Sequence, residues 1–360
     1  MNNKALEYGK LACDTMIRKF DAPDLPPKGD FHYHAGVFLS GMMNIYSVCS
    51  DEKYYEYTKA WVDSIITDVG VIHEYCHSTL DDHMATILLY PLLERTGEEK
   101  YEWAISQLTN EVRNWIRSDI GGYWHKEVRT DQMWLDGLYM VGPMQMMYAK
   151  KYNDERVSKQ AIHQAYLMYE NIQDKDTKLL YHAWDYSRTA EWADKDTGLA
   201  PEFWGRAMGW YVVALLDMME YMDADSEDYK RFAEIEKEVL GAVWNVRDKE
   251  SCLWYQVLDK GDRPDNWLEA SCSCLFIYAA AKAIRMGVTD DNLLDEILES
   301  FDAVIDKFVE VKDGDLFLSG VCIGTGVLDY AGYIARPTST NDLHGMGALL
   351  LMCAEIARIK

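Results

Sequence analysis

Twelve stretches of this chain carry apolar residues at helical spacing, and the connections between them alternate in kind. The stretches lie near 3–20, 34–49, 53–67, 79–96, 99–118, 134–151, 154–173, 204–222, 227–247, 268–285, 291–310 and 341–358, with no convincing run of alternating strand residues. Short polar turns, such as SDEKYYEY at 50–57 and NDERV at 153–157, close every second gap. The other gaps hold longer loops in which an acid or glycine precedes an aromatic residue or His: KGDFHYH, DVGVIHEY, GGYWHK, KLLYHAWD, CLWYQVLD and DGDLFLSG. Six such loops among twelve helices are the arithmetic of six helix hairpins. Each hairpin leaves an apolar face that only its neighbours can cover, and a closed ring covers them all. The chain is therefore expected to be all-α, an (α/α)6 barrel of about twelve helices with the six longer loops at one rim. Pro264 and Pro337 sit in loops and no Gly/Ser/Pro-rich linker divides the sequence, so residues 1–360 are expected to form one domain.

Charge narrows the function. Asp+Glu total 60 against 36 Lys+Arg, a formal charge of −24. Such a surface repels phosphate backbones and anionic lipid, which argues against nucleic-acid or membrane partners. The chain begins without an apolar run long enough for a signal peptide, and its eight cysteines are dispersed, so they read as buried free thiols in the cytoplasm. Aromatic residues make up 12% of the chain, a composition that suits stacking on sugar faces and equally suits a thick core.

Four segments could carry chemistry. His73-Glu74-Tyr75-Cys76-His77 fits the H-E-x-x-H pattern in which two histidines one helical turn apart bind zinc and the Glu activates its water. That pattern needs a helix. Here Ser78-Thr79-Leu80-Asp81 reads as a capping box, so the helix starts after His77; Glu98, at the spacing of a third ligand, falls in a turn. No metal and no other cofactor is expected, and a zinc metallohydrolase is only a remote alternative. Asp136, within Gln132-Met133-Trp134-Leu135-Asp136-Gly137, is a carboxylate among apolar residues. Poor solvation should raise its pKa and make it a general acid, or it simply satisfies the free N–H groups of its helix. Asp81 and Asp82 open the helix one hairpin earlier, and helix starts at one rim point to a common centre, so Asp81 could meet Asp136. Trp204, Arg206 and Trp210 open another helix and could bracket a sugar and clamp a carboxylate, or form a core stack. Lys126 is a second candidate cation, and His182 lies in the YHAWD loop. Gly324-Thr325-Gly326 is too short for a phosphate loop and reads as a plain turn.

Together these segments resemble glycoside hydrolase family 105, which contains the unsaturated rhamnogalacturonyl hydrolases. The resemblance runs through HYHAGVF (32–38), STLDDHMA (78–85), GGYWHK (121–126), DQMWLDGLYM (131–140), YHAWD (181–185), PEFWGRAMGWY (201–211), DNWLEASCSC (265–274) and RPTSTNDLHGMGA (336–348). It implies an (α/α)6 barrel, and an enzyme that hydrates the C4=C5 double bond of a 4,5-unsaturated uronic acid at the non-reducing end of a lyase-generated oligosaccharide. It implies Asp136 as general acid/base, Asp81 as the second pocket carboxylate, and Tyr33, Lys126, Trp134, His182, Trp204, Arg206 and Trp210 as substrate-binding residues. Whether Arg206 or Lys126 meets the uronate carboxylate stays open. An inverting glycosidase or a sugar epimerase on the same barrel is the alternative, since fold does not fix function.

Overall fold

The computed structural model describes residues 3–73 and 75–359. Six helices form an outer layer: α1 (Asn3–Lys19), α3 (Glu52–Ile65), α5 (Glu99–Arg113), α7 (Glu155–Ile172), α9 (Glu227–Asn245) and α11 (Leu294–Phe308). Each buries one stripe; in α11 it is Ile297, Ser300, Phe301, Val304, Ile305 and Phe308, the three- and four-residue spacing of a helix half in water. The inner layer consists of α2 (Tyr33–Cys49), a 3-10 segment Leu80–Leu88 continuing into α4 (Leu89–Thr96), α6 (Asp136–Tyr152), α8 (Gly205–Met219), α10 (Ala270–Arg285) and α13 (Leu343–Arg358). These inner helices are apolar around most of their circumference, and in α13 every residue from Leu343 to Ala357 is buried. Each inner helix packs against the next, and α13 packs back on α2, so the ring closes as an (α/α)6 barrel. At the closing seam a Cβ on Gly347 would lie 2.5 Å from the Val37 backbone, so only glycine lets α13 come this close.

The short polar turns work by capping. Ser50 and Asn153 end their helices in left-handed conformations (φ 55° and 52°). The next residues, Asp51 and Asp154, start the outer helices by accepting N–H bonds from Lys53 and Arg156. The long connections all lie at the other rim. A further short helix, α12 (Tyr330–Ile334), is a turn in the last of them.

Three two-stranded antiparallel ribbons at that rim depart from the strand-free expectation: β1 (Gln132–Trp134) with β2 (Ala183–Asp185), β3 (Val309–Lys312) with β4 (Asp315–Leu318), and β5 (Val321–Cys322) with β6 (Thr338–Ser339). β1 and β2 are buried on both faces and show no alternation to read, and β1 delays the start of α6 to Asp136. The DGDLFLSG stretch is no plain loop but the second half of a hairpin, turning at Asp313 and Gly314 with φ 54° and 84°. Of the eight cysteines, all free, five are buried, whereas Cys76 is exposed.

Candidate active site

The inner helices start at the ribbon-bearing rim, and their first residues wall a cavity of about 390 Å³. Thr79 caps the 3-10 segment: its hydroxyl accepts the Asp81 N–H (3.3 Å) and donates to Asp81 Oδ2 (3.0 Å). Lys126 Nζ stands 3.2 Å from the same oxygen, and His125 Nε2 stands 3.5 Å from Oδ1. Burial would raise the Asp81 pKa, but His125, Lys126 and His32 outweigh it and bring it to about 2. Asp81 is a firm carboxylate. Its neighbour Asp82 has both oxygens buried without a hydrogen bond, with His32 Nε2 3.8 Å from Oδ1; burial and the Asp81 charge push its pKa up to about 8.

Asp136 does not cap α6, which leaves its carboxylate to face the cavity. His182 Nε2 lies 3.2 Å from Asp136 Oδ2, off the line of a good hydrogen bond, so both atoms lack a well-aligned partner. The other ring nitrogen, Nδ1, is 2.5 Å from the Tyr333 hydroxyl. The expected rise in the Asp136 pKa is corrected here. Burial does push it up, but His182 and His125 more than reverse the effect, and it falls below the ordinary carboxylate value. An apolar sequence neighbourhood did not reveal two imidazoles arriving from other loops. His125 stacks on Trp134, with ring centres 4.3 Å apart, and its field acts on both Asp81 and Asp136.

Tyr33, Trp134, Trp204, Arg206 and Lys126 all line the cavity, while His182 sits fully buried just behind Asp136. Trp210 does not join them: it stacks on Tyr139 at 4.8 Å within the core. Arg206, 2% exposed, donates to the carbonyls of Cys322 (2.5 Å) and Ile323 (2.9 Å) and lies over Trp204. Much of its fork is thus spent on holding one loop. Sequence reading missed two further cations on the lining, Arg129 and Arg336. Arg336 donates to the Gly324 carbonyl while its Nε is buried without a partner. That loop corrects the plain-turn reading of Gly324-Thr325-Gly326. It forms a cavity wall, where a Cβ on Gly324 would be 3.6 Å from the Tyr33 hydroxyl and one on Gly326 3.5 Å from Trp134. The Thr325 hydroxyl is buried there with no partner.

The H-E-x-x-H segment has no zinc geometry in its described part. His73 and His77 are exposed and non-helical, His77 Nδ1 lies 3.2 Å from Glu111, and Glu74 is outside the described residues. Glu98 is paired with Lys59 and Lys100 instead. Among the described residues, the close set of metal-type ligands is His34, Asp342 and His344.

A family model described as Glycosyl Hydrolase Family 88 matches residues 8–360. The chain is 25% identical over 332 residues to a Bacillus subtilis protein named unsaturated rhamnogalacturonyl hydrolase YesR, a match spanning 90% of this chain and 89% of that one. A glycoside hydrolase of family 105 from C. acetobutylicum superposes with a TM-score of 0.92 at 34% identity, over 97% of this chain and 98% of the other. An unsaturated glucuronyl hydrolase from Bacillus sp. GL1 shares the fold at 16% identity, with a TM-score of 0.76 over 99% and 97% of the two chains.

Proposed function

Because the chain belongs to Glycosyl Hydrolase Family 88, and matches a family 105 hydrolase along nearly its whole length, we propose that it is an unsaturated rhamnogalacturonyl hydrolase-like enzyme acting on lyase-generated oligosaccharides. It hydrates the C4=C5 bond of the terminal unsaturated uronate and thereby releases the neighbouring sugar. One observation carries the reading: a chain of charge −24 gathers Lys126, Arg129, Arg206 and Arg336 around a cavity that also holds Asp136 and Asp81. That combination suits a small anionic sugar that must be protonated, not a polyanion.

The ring oxygen of the substrate feeds electron density through C5=C4 and makes C4 basic. Asp136 protonates C4, leaving an oxocarbenium centre at C5, and the resulting carboxylate then deprotonates the water that attacks C5. The hemiketal opens, and the exposed hemiacetal expels the leaving sugar. One carboxyl serves as acid and then as base, so Asp81, held ionised, is free to accept sugar hydroxyls. In the free protein Asp136 is ionised at neutral pH. The substrate supplies the correction: its own carboxylate adds a further negative charge to a water-poor pocket and raises the Asp136 pKa as it binds. Tyr33, Trp134 and Trp204 provide the sugar-facing surface, His182 orients Asp136, and Trp210 supports the floor from the core. The uronate carboxylate is assigned to Arg336, whose Nε is buried without a partner, since Lys126 is engaged by Asp81 and much of the Arg206 fork by loop carbonyls.

The reading takes residues 1–360 as one catalytic domain, supported by a core that runs from α1 to α13. A cytoplasmic setting is supported by the eight free cysteines; no described helix is long and apolar enough to cross a membrane. The test is a panel of lyase-generated disaccharides followed by ultraviolet absorbance. Hydration removes the conjugated absorbance as the second sugar appears; release of that sugar with the absorbance intact identifies an ordinary glycosidase or a different reaction.

A further inference from the structure

The starts of α2 and α13, beside the cavity, hold ligand atoms that hydration does not use. His34 Nε2 lies 3.7 Å from Asp342 Oδ1, and His344 Nδ1 lies 2.8 Å from the same oxygen. One donor atom from each of the three residues falls within 4.8 Å of the others. His344 is fully buried, and its Nε2 is 3.1 Å from the Cys322 carbonyl oxygen. A carbonyl only accepts, so Nε2 carries the ring hydrogen. In the neutral ring Nδ1 is then a bare lone pair beside a carboxylate, and it has no well-aligned hydrogen-bond partner.

The three side chains therefore present donor atoms to one point, with the buried His344 Nδ1 left without a hydrogen bond. Ligands about 2.0–2.1 Å from a tetrahedral zinc stand roughly 3.3 Å apart, and the two spacings here, 3.7 and 2.8 Å, bracket that value.

We propose that His34, Asp342 and His344 form a binding site for one divalent transition-metal ion, with zinc or cobalt as the fitting class. Two nitrogens and one oxygen select a borderline ion over magnesium or calcium, which demand oxygen ligands. Arg206 repels such an ion, but Glu269, 4.0 Å from Arg206, offsets that charge. His34 lines the active-site cavity, and His34 and Asp342 also line the neighbouring cavity, so an ion could reach the site from solvent. The site is separate from Asp136 and does not depend on the hydration reading.

Chelator-stripped protein is dialysed against zinc near pH 7.5 and metal per chain is measured, with cobalt as a spectroscopic probe. One zinc per chain is expected, displacing cobalt and its visible absorption bands, with magnesium unable to compete. His34→Gln and Asp342→Asn should each weaken binding at least ~10-fold, since even outer-sphere partners of a metal are worth that much. His77→Gln, on the exposed segment, should leave binding unchanged, and circular dichroism confirms that each variant is folded. No stoichiometric zinc, binding retained in both His34→Gln and Asp342→Asn, or binding lost in His77→Gln overturns the assignment.

Discussion

His182 holds its Nε2 3.2 Å from Asp136 Oδ2 while its Nδ1 meets the Tyr333 hydroxyl at 2.5 Å, so one buried ring ties the carboxylate opening α6 to the short helix α12. If Asp136 is the proton shuttle, Asp136→Asn keeps the shape and loses the chemistry. Turnover should fall by about 10²–10⁴-fold with the fold unchanged by circular dichroism. Activity within a few-fold of the parent would move the role elsewhere, with Asp81 next.

Tyr333 acts through His182 and is a positioning residue. Tyr333→Phe removes one hydrogen bond worth about 1 kcal/mol, so kcat should drop about 3–10-fold with KM nearly constant. Once His182→Ala is in place, adding Tyr333→Phe should cost nothing further, so equal losses in His182→Ala and in the double variant would fit this coupling. Additive losses would break it.

The lowered Asp136 pKa gives a signed pH expectation. The chemistry needs the protonated acid, so activity is lost as pH rises through the relevant pKa. In kcat/KM that pKa belongs to the free enzyme and lies below the ordinary carboxylate value. In kcat it belongs to the substrate complex and is raised. The alkaline limb of kcat should therefore sit at higher pH than that of kcat/KM; coincident limbs would remove the role given to the substrate carboxylate.

Asp82 makes a separate prediction about stability. Its folded pKa of about 8 lies above the ordinary aspartate value of 3.8, so between those values the folded state holds a proton that the unfolded state has released. Its contribution is fully present below pH ~4 and is lost as pH climbs through 8, a change of order a few kcal/mol. Asp82→Asn lacks that penalty. The melting temperature of the variant should gain on the parent from pH 5 to pH 9; a pH-independent difference would show that Asp82 is not a protonated buried acid.

The barrel was legible because its signals are local. Helical periodicity and turns such as Ser50-Asp51 and Asn153-Asp154 lie within a few residues of the elements they define. Asp81, Asp136, Lys126 and Arg206 were legible as helix-start or loop residues that share a rim. The electrostatics were not, since His182 and His125 reach Asp136 through the barrel and reverse the effect of burial. Arg336 and Gly324–Gly326 were missed for the same reason, as they become a wall only when the last rim loop folds over Tyr33 and Trp134. The Asp313-Gly314 hairpin does carry a local signal, an Asp-Gly pair between apolar runs.

The central claim is that a proton is added to C4, and turnover in heavy water with magnetic resonance of the product reads that atom directly. Asp136 exchanges with solvent before it donates, so hydration places one deuterium on C4 and leaves no double bond in the released uronate. A product with no deuterium at C4 and the double bond intact would contradict hydration and assign the bond breaking to C1, as in an ordinary glycosidase.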